Sequence, residues 1–344
     1  MASRPTGRPA TIYDVAALAN LSIATVSRVL QGTGPVSEKA RARVDQAAYE
    51  LNYVPLRAAR SLAVQRHEAH GLVLPDLAGP FYGDLLMGYE RWAAEHGQSV
   101  IITVTQGMDY RRNLRELASR VDGIVVHGNA LERTAVQDLR RAKVPVVLIA
   151  HPPVTGCDSV RSESATSAER LTTRLLDHGR SRLLFVGDPA SSYDVSERYA
   201  GFSRALSSRE LPAPEPERVP LTEQAGAALA TKLLQATTRP DGLVCANDEL
   251  ALAALKILRT GGLAVPDDIV VTGWDDVMAA RYVSPGLTTV RQPMAELGGL
   301  AAQRLHERIT GERARARNDV LATQLVLRDS CGTRPGETQT PRNG

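Results

Sequence analysis

Two groups of residues in this sequence have the types and spacing to do chemistry. In the first, Ile23, Ala24, Ser27 and Arg28 fall on one face of a short segment whose other face is apolar. A guanidinium there can bond a guanine edge through two parallel hydrogen bonds, and aliphatic groups can meet a thymine methyl, as when a helix reads the major groove. In the second group, Asp76, His127, His151, Asp188, Asn247, Asp248, Trp274, Asp275 and Asp276 each follow a short apolar run. Polar groups at the carboxyl ends of parallel strands, with Trp274, Phe81 and Tyr82 as flat apolar faces, suit a small hydroxylated ligand, best a sugar.

Other constellations carry less. His67-Glu-Ala-His70 is one residue short of the HExxH zinc spacing, and Cys157, Cys245 and Cys331 are scattered without CxxC spacing, so no metal site or disulfide framework is expected. Asp275 and Asp276 are adjacent; in extended backbone they point to opposite sides, which predicts one ligand contact and one solvated carboxylate. Asp267-Asp268 after Val265-Pro266 reads as a turn. No GxSxG elbow, GxxxxGK[ST] loop or GxGxxG fingerprint occurs, so catalysis has no candidate site and no cofactor is expected.

The elements that must position these residues can be read from periodicity. Ile12, Val15, Ala16 and Ala19 follow i, i+3, i+4, i+7 spacing, the buried face of a first helix. Asn20 tolerates the left-handed conformation that ends a helix, Leu21 can plug the turn, and the Ser22 hydroxyl can cap the next helix at the Thr25 amide. Val26, Val29 and Leu30 face inward on that second helix. A third begins at Ser37 and buries Val44, Ala47, Ala48 and Leu51, and Pro55 closes a three-helix head. From His70 on, strands at 70–74, 99–104, 123–127, 146–150, 182–186, 242–246 and 269–273 alternate with helical segments, which predicts parallel sheets covered on both faces and grouped into two lobes. Leu211-Pro-Ala-Pro-Glu-Pro216 reads as a stiff surface loop.

Charge separates head from body. Residues 1–66 hold nine Arg or Lys against four acids, whereas the remainder holds 32 against 34. A basic head on a near-neutral body fits phosphate neutralisation by one domain. No run of 18 apolar residues could span a bilayer, and the first ten residues lack the apolar stretch of a secretory signal, so a cytoplasmic location with no membrane partner is expected.

The run Thr11-Ile-Tyr-Asp-Val-Ala-Ala-Leu-Ala-Asn-Leu-Ser-Ile-Ala-Thr-Val-Ser-Arg-Val-Leu30, with Val36-Ser37 and Leu51-Asn-Tyr-Val-Pro55, resembles the head of the LacI/GalR family of repressors. Pro75-Asp-Leu-Ala-Gly-Pro-Phe-Tyr82, Arg198-Tyr-Ala-Gly-Phe202, Cys245-Ala-Asn-Asp-Glu-Leu-Ala-Leu252, Gly273-Trp-Asp-Asp276 and Leu287-Thr-Thr-Val-Arg-Gln292 are similar to the family's effector-domain motifs. The resemblance implies a lambda-repressor-like helix-turn-helix head and an α/β two-lobed effector domain of the type I periplasmic-binding-protein-like fold. It implies a basic arm over 1–10, a DNA-binding domain over 11–55 and a hinge over 56–66. The effector domain would span 67–328, with lobe 1 at 67–160 and 292–318 and lobe 2 at 161–291 and 319–328, followed by a flexible tail over 329–344.

By the same resemblance Ile23, Ala24 and Arg28 would occupy base-reading positions on operator DNA, with Tyr13, Thr25 and Ser27 in support and Ser22 binding DNA from the helix start. Arg57 and Leu62 would act from the hinge, Leu62 as a minor-groove wedge that kinks the duplex. Asp76, Phe81, Tyr82, His127, Asp194, Arg198, Asn247, Trp274, Asp275 and Gln292 would hold the effector, with Met294 nearby and Gln292 close to the third crossing between lobes. Leu56 replaces the family's usual Asn. Gly79, His127 and Ala150 stand where sugar-responsive members often carry Asn, Asn and Asp, which implies a less polar lobe 1 wall. The expected protein is a homodimeric regulator on double-stranded, pseudo-palindromic operator DNA, with no coiled-coil tetramer, because residues 329–344 lack heptads. A transport receptor would not need the head. A sugar-processing enzyme on the same fold is the other alternative, and turnover of a bound ligand would distinguish it.

Overall fold

In a computed structural model, residues 8, 10–31, 34–53, 66–106 and 110–332 are described, and the chain divides into two compact units at His67 and Glu68. The first is three helices, α1 (Ile12–Ala19), α2 (Ile23–Gln31) and α3 (Glu38–Glu50). Thr11 and Asp14 cap α1 reciprocally: Thr11 Oγ1 accepts from the Asp14 amide and Asp14 accepts from the Thr11 amide. Those Thr11 hydrogen bonds hold the Asp14 carboxyl below its ordinary range. Asn20 ends α1 at φ 48°, and Ser22 Oγ accepts from the Thr25 amide at 3.2 Å, so the turn is built as its residue types require. Val15, Ala16, Ala19, Val26, Val29, Val44 and Ala47 form the core, with Ala48 and Leu51 half-buried around it.

The second unit starts with β1 (Ala69–Leu74), α4 (Tyr82–Glu95), β2 (Ser99–Val104), α5 (Tyr110–Ala118), β3 (Gly123–His127), α6 (Arg133–Arg141), β4 (Val146–Ile149) and β5 (Asp158–Ser162). It continues through α7 (Ala165–Asp177), β6 (Leu183–Val186), α8 (Tyr193–Ser207), α9 (Glu223–Gln235), β7 (Gly242–Cys245), α10 (Asp248–Thr260), β8 (Val270–Thr272), α11 (Ala279–Tyr282) and β9 (Thr289–Arg291). It ends with α12 (Met294–Thr310), β10 (Asn318–Leu321), β11 (Gln324–Val326) and a 3-10 turn at Asp329–Cys331.

Lobe 1 is a parallel sheet in the order β10-β5-β4-β3-β1-β2. Successive side chains go to opposite faces: Ile124, Val126, Val146 and Leu148 pack under α5 and α6, whereas Val125, Val147 and Ile149 pack under α4 and α12. Lobe 2 repeats the plan with the parallel order β6-β7-β8, and β9 pairs antiparallel with β11 beside it. Leu243, Cys245 and Val271 face α9 and α10, while Phe185, Val244 and Val270 face α7 and α8. Helices cover both faces of each sheet because both faces are apolar.

The chain passes between lobes at residues 163–164, 292–293 and 322–323, which corrects three expected boundaries. β5 belongs wholly to lobe 1, so the first division follows Ser162. β10 pairs with β5 in the lobe 1 sheet, so residues 319–321 belong to lobe 1, not lobe 2. Gln292 lies at the second crossing, not the third. The supposed tail is also packed at its start: Ser330 and Cys331 are buried, and Ser330 Oγ accepts from the Thr288 amide and donates to the Val271 carbonyl. The remaining tail residues, 333–344, and most of the arm and hinge lie outside the described residues.

Helices α4 and α12 touch through backbone. A Cβ on Gly298 would collide with the Leu85 carbonyl oxygen, and one on Gly88 with that of Ala295, so only glycine permits this approach. We expect Gly298→Ala to lower the unfolding free energy by about 1–3 kcal/mol, the usual cost of overpacking. Gly83→Ala, which meets nothing on the same α4, should instead stabilise by up to about 1 kcal/mol by helix propensity. Urea unfolding of the two variants beside the parent chain measures both; equal effects would refute the close-contact reading.

Candidate nucleic-acid interface and ligand cleft

On the head, α2 presents Ser22, Ile23, Ala24 and Arg28 exposed, with Thr25 and Ser27 half-buried between them, and Tyr13 is exposed on α1. The Ser22 and Thr25 hydroxyls bond each other at 2.8 Å, which fixes both beside the α2 N-terminus. No acidic residue occupies the first turn of α2, so its free amides and partial positive charge are open to a phosphate. The expected face is therefore assembled on one helix end. Arg57 and Leu62 lie outside the described residues.

In the body a cleft of about 480 Å³ opens between the lobes, beyond the carboxyl ends of both sheets. Asp76, Phe81, Tyr82 and His127 line it from lobe 1, and Asp194, Arg198, Asn247, Asp275 and Gln292 from lobe 2 and the second crossing. His127 is buried against the Phe81 and Tyr82 rings, with centroids 6.0 and 5.4 Å away, and its Nδ1 has no hydrogen-bond partner. Burial pulls its pKa down to about 4, so it is a neutral imidazole. The lobe 1 wall is thus aromatic.

The lobe 2 wall is charged. Arg198, only 6% exposed, donates to the Ala246 carbonyl oxygen at 2.6 Å and faces Asp275, Asp194 and Asp248. Its guanidinium carbon stands 4.6 Å from the centroid of the Trp274 ring. Burial pushes Asp275 up to about 6 against the pull of Arg198 and of Gln292, whose amide donates to Asp275 Oδ1 at 2.6 Å. Burial also raises Asp194, at the start of α8. Asn247 caps α10, accepting from the Leu250 amide and donating to the Leu221 carbonyl, which leaves one donor and one acceptor for a ligand.

Several expected contacts lie elsewhere. Trp274 is 2% exposed and does not line the cleft; it backs Arg198 instead of offering a face to the ligand. Asp248 is buried, bonded by the Val277 amide and the Thr289 hydroxyl, and raised to about 8, first by burial and then by Asp275. His151 bonds the Pro152 carbonyl and Asp188 bonds Arg218, both away from the lining. The expectation that Asp276 is solvated fails: it is buried among Arg291, Arg328 and Arg281. The backbone is not extended there, since Asp275 and Asp276 have φ of 117° and 56°, which turns both carboxylates inward. Such conformations cost about 1–3 kcal/mol each and persist where neighbours over-determine them.

Glu249, Gln106, Ser162 and Asn129 also line the cleft and were not anticipated. Glu249 was within reach, one residue past the Asn247-Asp248 pair. Asn129, whose amide donates to the Ser191 carbonyl across the mouth at 3.1 Å, has no pattern that singles it out.

The family model of "Bacterial regulatory proteins, lacI family" matches residues 11–55, and that of "Periplasmic binding protein-like domain" matches 172–331. The ribose operon repressor of Escherichia coli (strain K12) is 33% identical, covering 88% of this chain and 93% of its own length. The chain belongs to the LacI family. Among solved structures of this family, the lac repressor dimer bound to operator and the anti-inducer ONPF matches with a TM-score of 0.83 and 28% identity, covering 94% of this chain and 99% of that one. The CelR–cellobiose complex matches with a TM-score of 0.72 and 31% identity, covering 93% and 99%. As a LacI-family member the chain is a DNA-binding transcriptional regulator that responds to a small molecule, with a helix-turn-helix head and a periplasmic-binding-protein-like body. Its relatives are regulators, not enzymes, and among the described residues no helix is long and apolar enough to cross a membrane.

The raised carboxyls set a pH dependence. Asp275 holds its proton more tightly folded than unfolded, so its contribution to stability is full below about 4 and is lost as pH rises through about 6. Asp248 extends the loss towards about 8. We expect the melting temperature to fall between pH 4 and pH 7 more steeply in the parent chain than in Asp275→Asn, which keeps the acceptor for Gln292. Parallel slopes in scanning calorimetry would contradict the assignment.

Proposed function

We propose that this chain is a cytoplasmic repressor that acts as a homodimer on a pseudo-palindromic operator and is controlled by a polyhydroxylated effector, a sugar or sugar derivative, in the cleft. The observation that carries the reading is the α2 face, where Ile23, Ala24 and Arg28 stand exposed beside a helix N-terminus free of acidic residues on a basic head. The lac repressor dimer on its operator and CelR with cellobiose support the partner classes. A second copy has a surface to meet: α9, α10 and α11 enclose a groove of about 770 Å³ on lobe 2, flanked by Met278 and Tyr282, exposed by 73% and 80%. The apolar side chains Leu252, Leu255, Ile257 and Val283 in that groove, beside exposed Met278 and Tyr282, favour a protein surface over a small ligand.

The mechanism follows from differential affinity. Two heads read half-sites in successive major grooves, while paired hinges carrying Arg57 and Leu62 open the minor groove between them. An effector that binds one arrangement of the lobes better than the other shifts operator affinity by that difference, typically about 1–3 kcal/mol. Asp275, Arg198, Asn247 and Gln292 hold the ligand from lobe 2, Asp194 closes that wall, and Phe81, Tyr82, His127 and Asp76 meet it from lobe 1. No cofactor and no catalytic group enter this scheme.

The test is selection of DNA from a random pool by the full chain at moderate salt, with sequencing of what is retained. Enrichment of a two-fold symmetric site is expected; retention without sequence preference, with or without candidate ligands, would refute the reading. Arg28→Ala should relax discrimination at about one base pair per half-site, at a cost of about 1–3 kcal/mol on the selected site and little on random DNA.

A further inference from the structure

Four carboxylates line the cleft, Asp76, Asp194, Glu249 and Asp275, against one guanidinium, Arg198. That guanidinium is already engaged, bonded to the Ala246 carbonyl and faced by Asp275, Asp194 and Asp248. His127, the other basic side chain in the lining, is neutral. Ionised carboxylates only accept hydrogen bonds, so the wall is rich in acceptors and asks for a ligand rich in donors. Two buried polar atoms of the lining also await a partner: His127 Nδ1 and Arg198 Nε, on side chains 8% and 6% exposed. An anionic group closed into this space would meet like charge with water excluded, where such repulsion is least screened.

From this we infer that the cleft selects its effector by charge: it admits uncharged or amine-bearing polyols and refuses their phosphorylated or carboxylated counterparts. The inference rests on the reading of the cleft as an effector site and narrows it to a chemical class. Asp194 is the residue that sets the sign, because it lines the cleft and its carboxylate has no hydrogen-bond partner among the described residues. Hydroxyls and ammonium groups supply donors to Asp194 and Glu249, and to the Asp76 oxygen that the Ala78 amide does not occupy. A phosphate drawn to Arg198 would meet the charge of Asp275 and Asp194, which act on the same guanidinium.

The field can be measured without knowing the ligand. Ala78 lines the cleft and is exposed, whereas Cys157, Cys245 and Cys331 are all buried. In full-length Ala78→Cys the new thiol is treated at pH 7.5 with methanethiosulfonates carrying either trimethylammonium or sulfonate, with the parent chain as the background. The ratio of the two rates cancels any shift of the thiol's own ionisation. We expect the cationic reagent to be favoured about tenfold more than on glutathione, and Asp194→Asn and Asp76→Asn each to reduce that preference about two- to threefold. A ratio equal to that of glutathione, or one unmoved by both substitutions, would overturn the inference. So would a melting temperature raised more by glucose 6-phosphate or ribose 5-phosphate than by the parent sugar. Failure of the DNA selection would leave the rate ratio readable, so the two readings fail separately.

Discussion

Neither lobe of the body is a continuous piece of chain, and this constraint governs the rest. Lobe 1 needs β10 to complete its sheet beside β5, and needs α12 to cover the face formed by Val125, Val147 and Ile149. Lobe 2 needs β11 to pair with β9. The crossings at 163–164 and 322–323 are lashed together: Thr323 Oγ1 donates to the Glu163 carbonyl, the Glu163 amide donates to the Leu321 carbonyl, and Glu163 caps α7 through its carboxylate. The lobes can therefore turn about this strap but cannot separate. A cleft between two such bodies can change its width at small cost while each core stays packed, which is the requirement for a ligand to act at a distance.

Charge is concentrated where lobe 2 meets the cleft, and it is sorted by partner. Asp276 is surrounded by three arginines, and Asp248 is satisfied by an amide and a hydroxyl. These two hold β8, β9 and α10 in register and are spent on structure. Asp275 and Asp194 both act on Arg198 through charge, and both line the cleft. One turn of backbone after β8, in a conformation that side chains rarely adopt, separates the structural carboxylate from the ligand-facing one. The strain at Asp275 and Asp276 fits a place where the direction of a side chain matters more than local comfort.

What the sequence disclosed follows the same division. The head was legible almost throughout, because its capping residues Thr11, Asn20, Ser22 and Ser37 and its apolar spacing act locally. Strands buried on both faces, such as Gly123–His127, were legible as apolar runs. Asp158–Ser162 and Asn318–Leu321 were not, since they are short and largely polar, without an apolar run or alternation, and pair with each other across 159 residues at Ser159 and Asn318. The rule that ligands gather at strand ends found Asp76, His127, Asn247 and Asp275. It could not tell Trp274 from a ligand platform, because that depends on Arg198, which arrives from another helix and lies over its ring. Long-range pairing is the part that composition and periodicity do not encode.

Gln292 connects the cleft to this framework. Its amide is bonded to Asp275, and its backbone belongs to the crossing that leads into α12. Helix α12 is fixed to α4 by the Gly88 and Gly298 contacts, and it covers the same sheet that begins with β1, the strand the linker from the head enters. A ligand that bonds Asp275 therefore sits on the same carboxylate as the second crossing. The close Gly88 and Gly298 backbone contacts and the apolar face of α12 tie that helix to the rest of lobe 1. Gln292 and α12 thus form a contiguous path of hydrogen bond, backbone and packing from a cleft carboxylate to the sheet that includes β1.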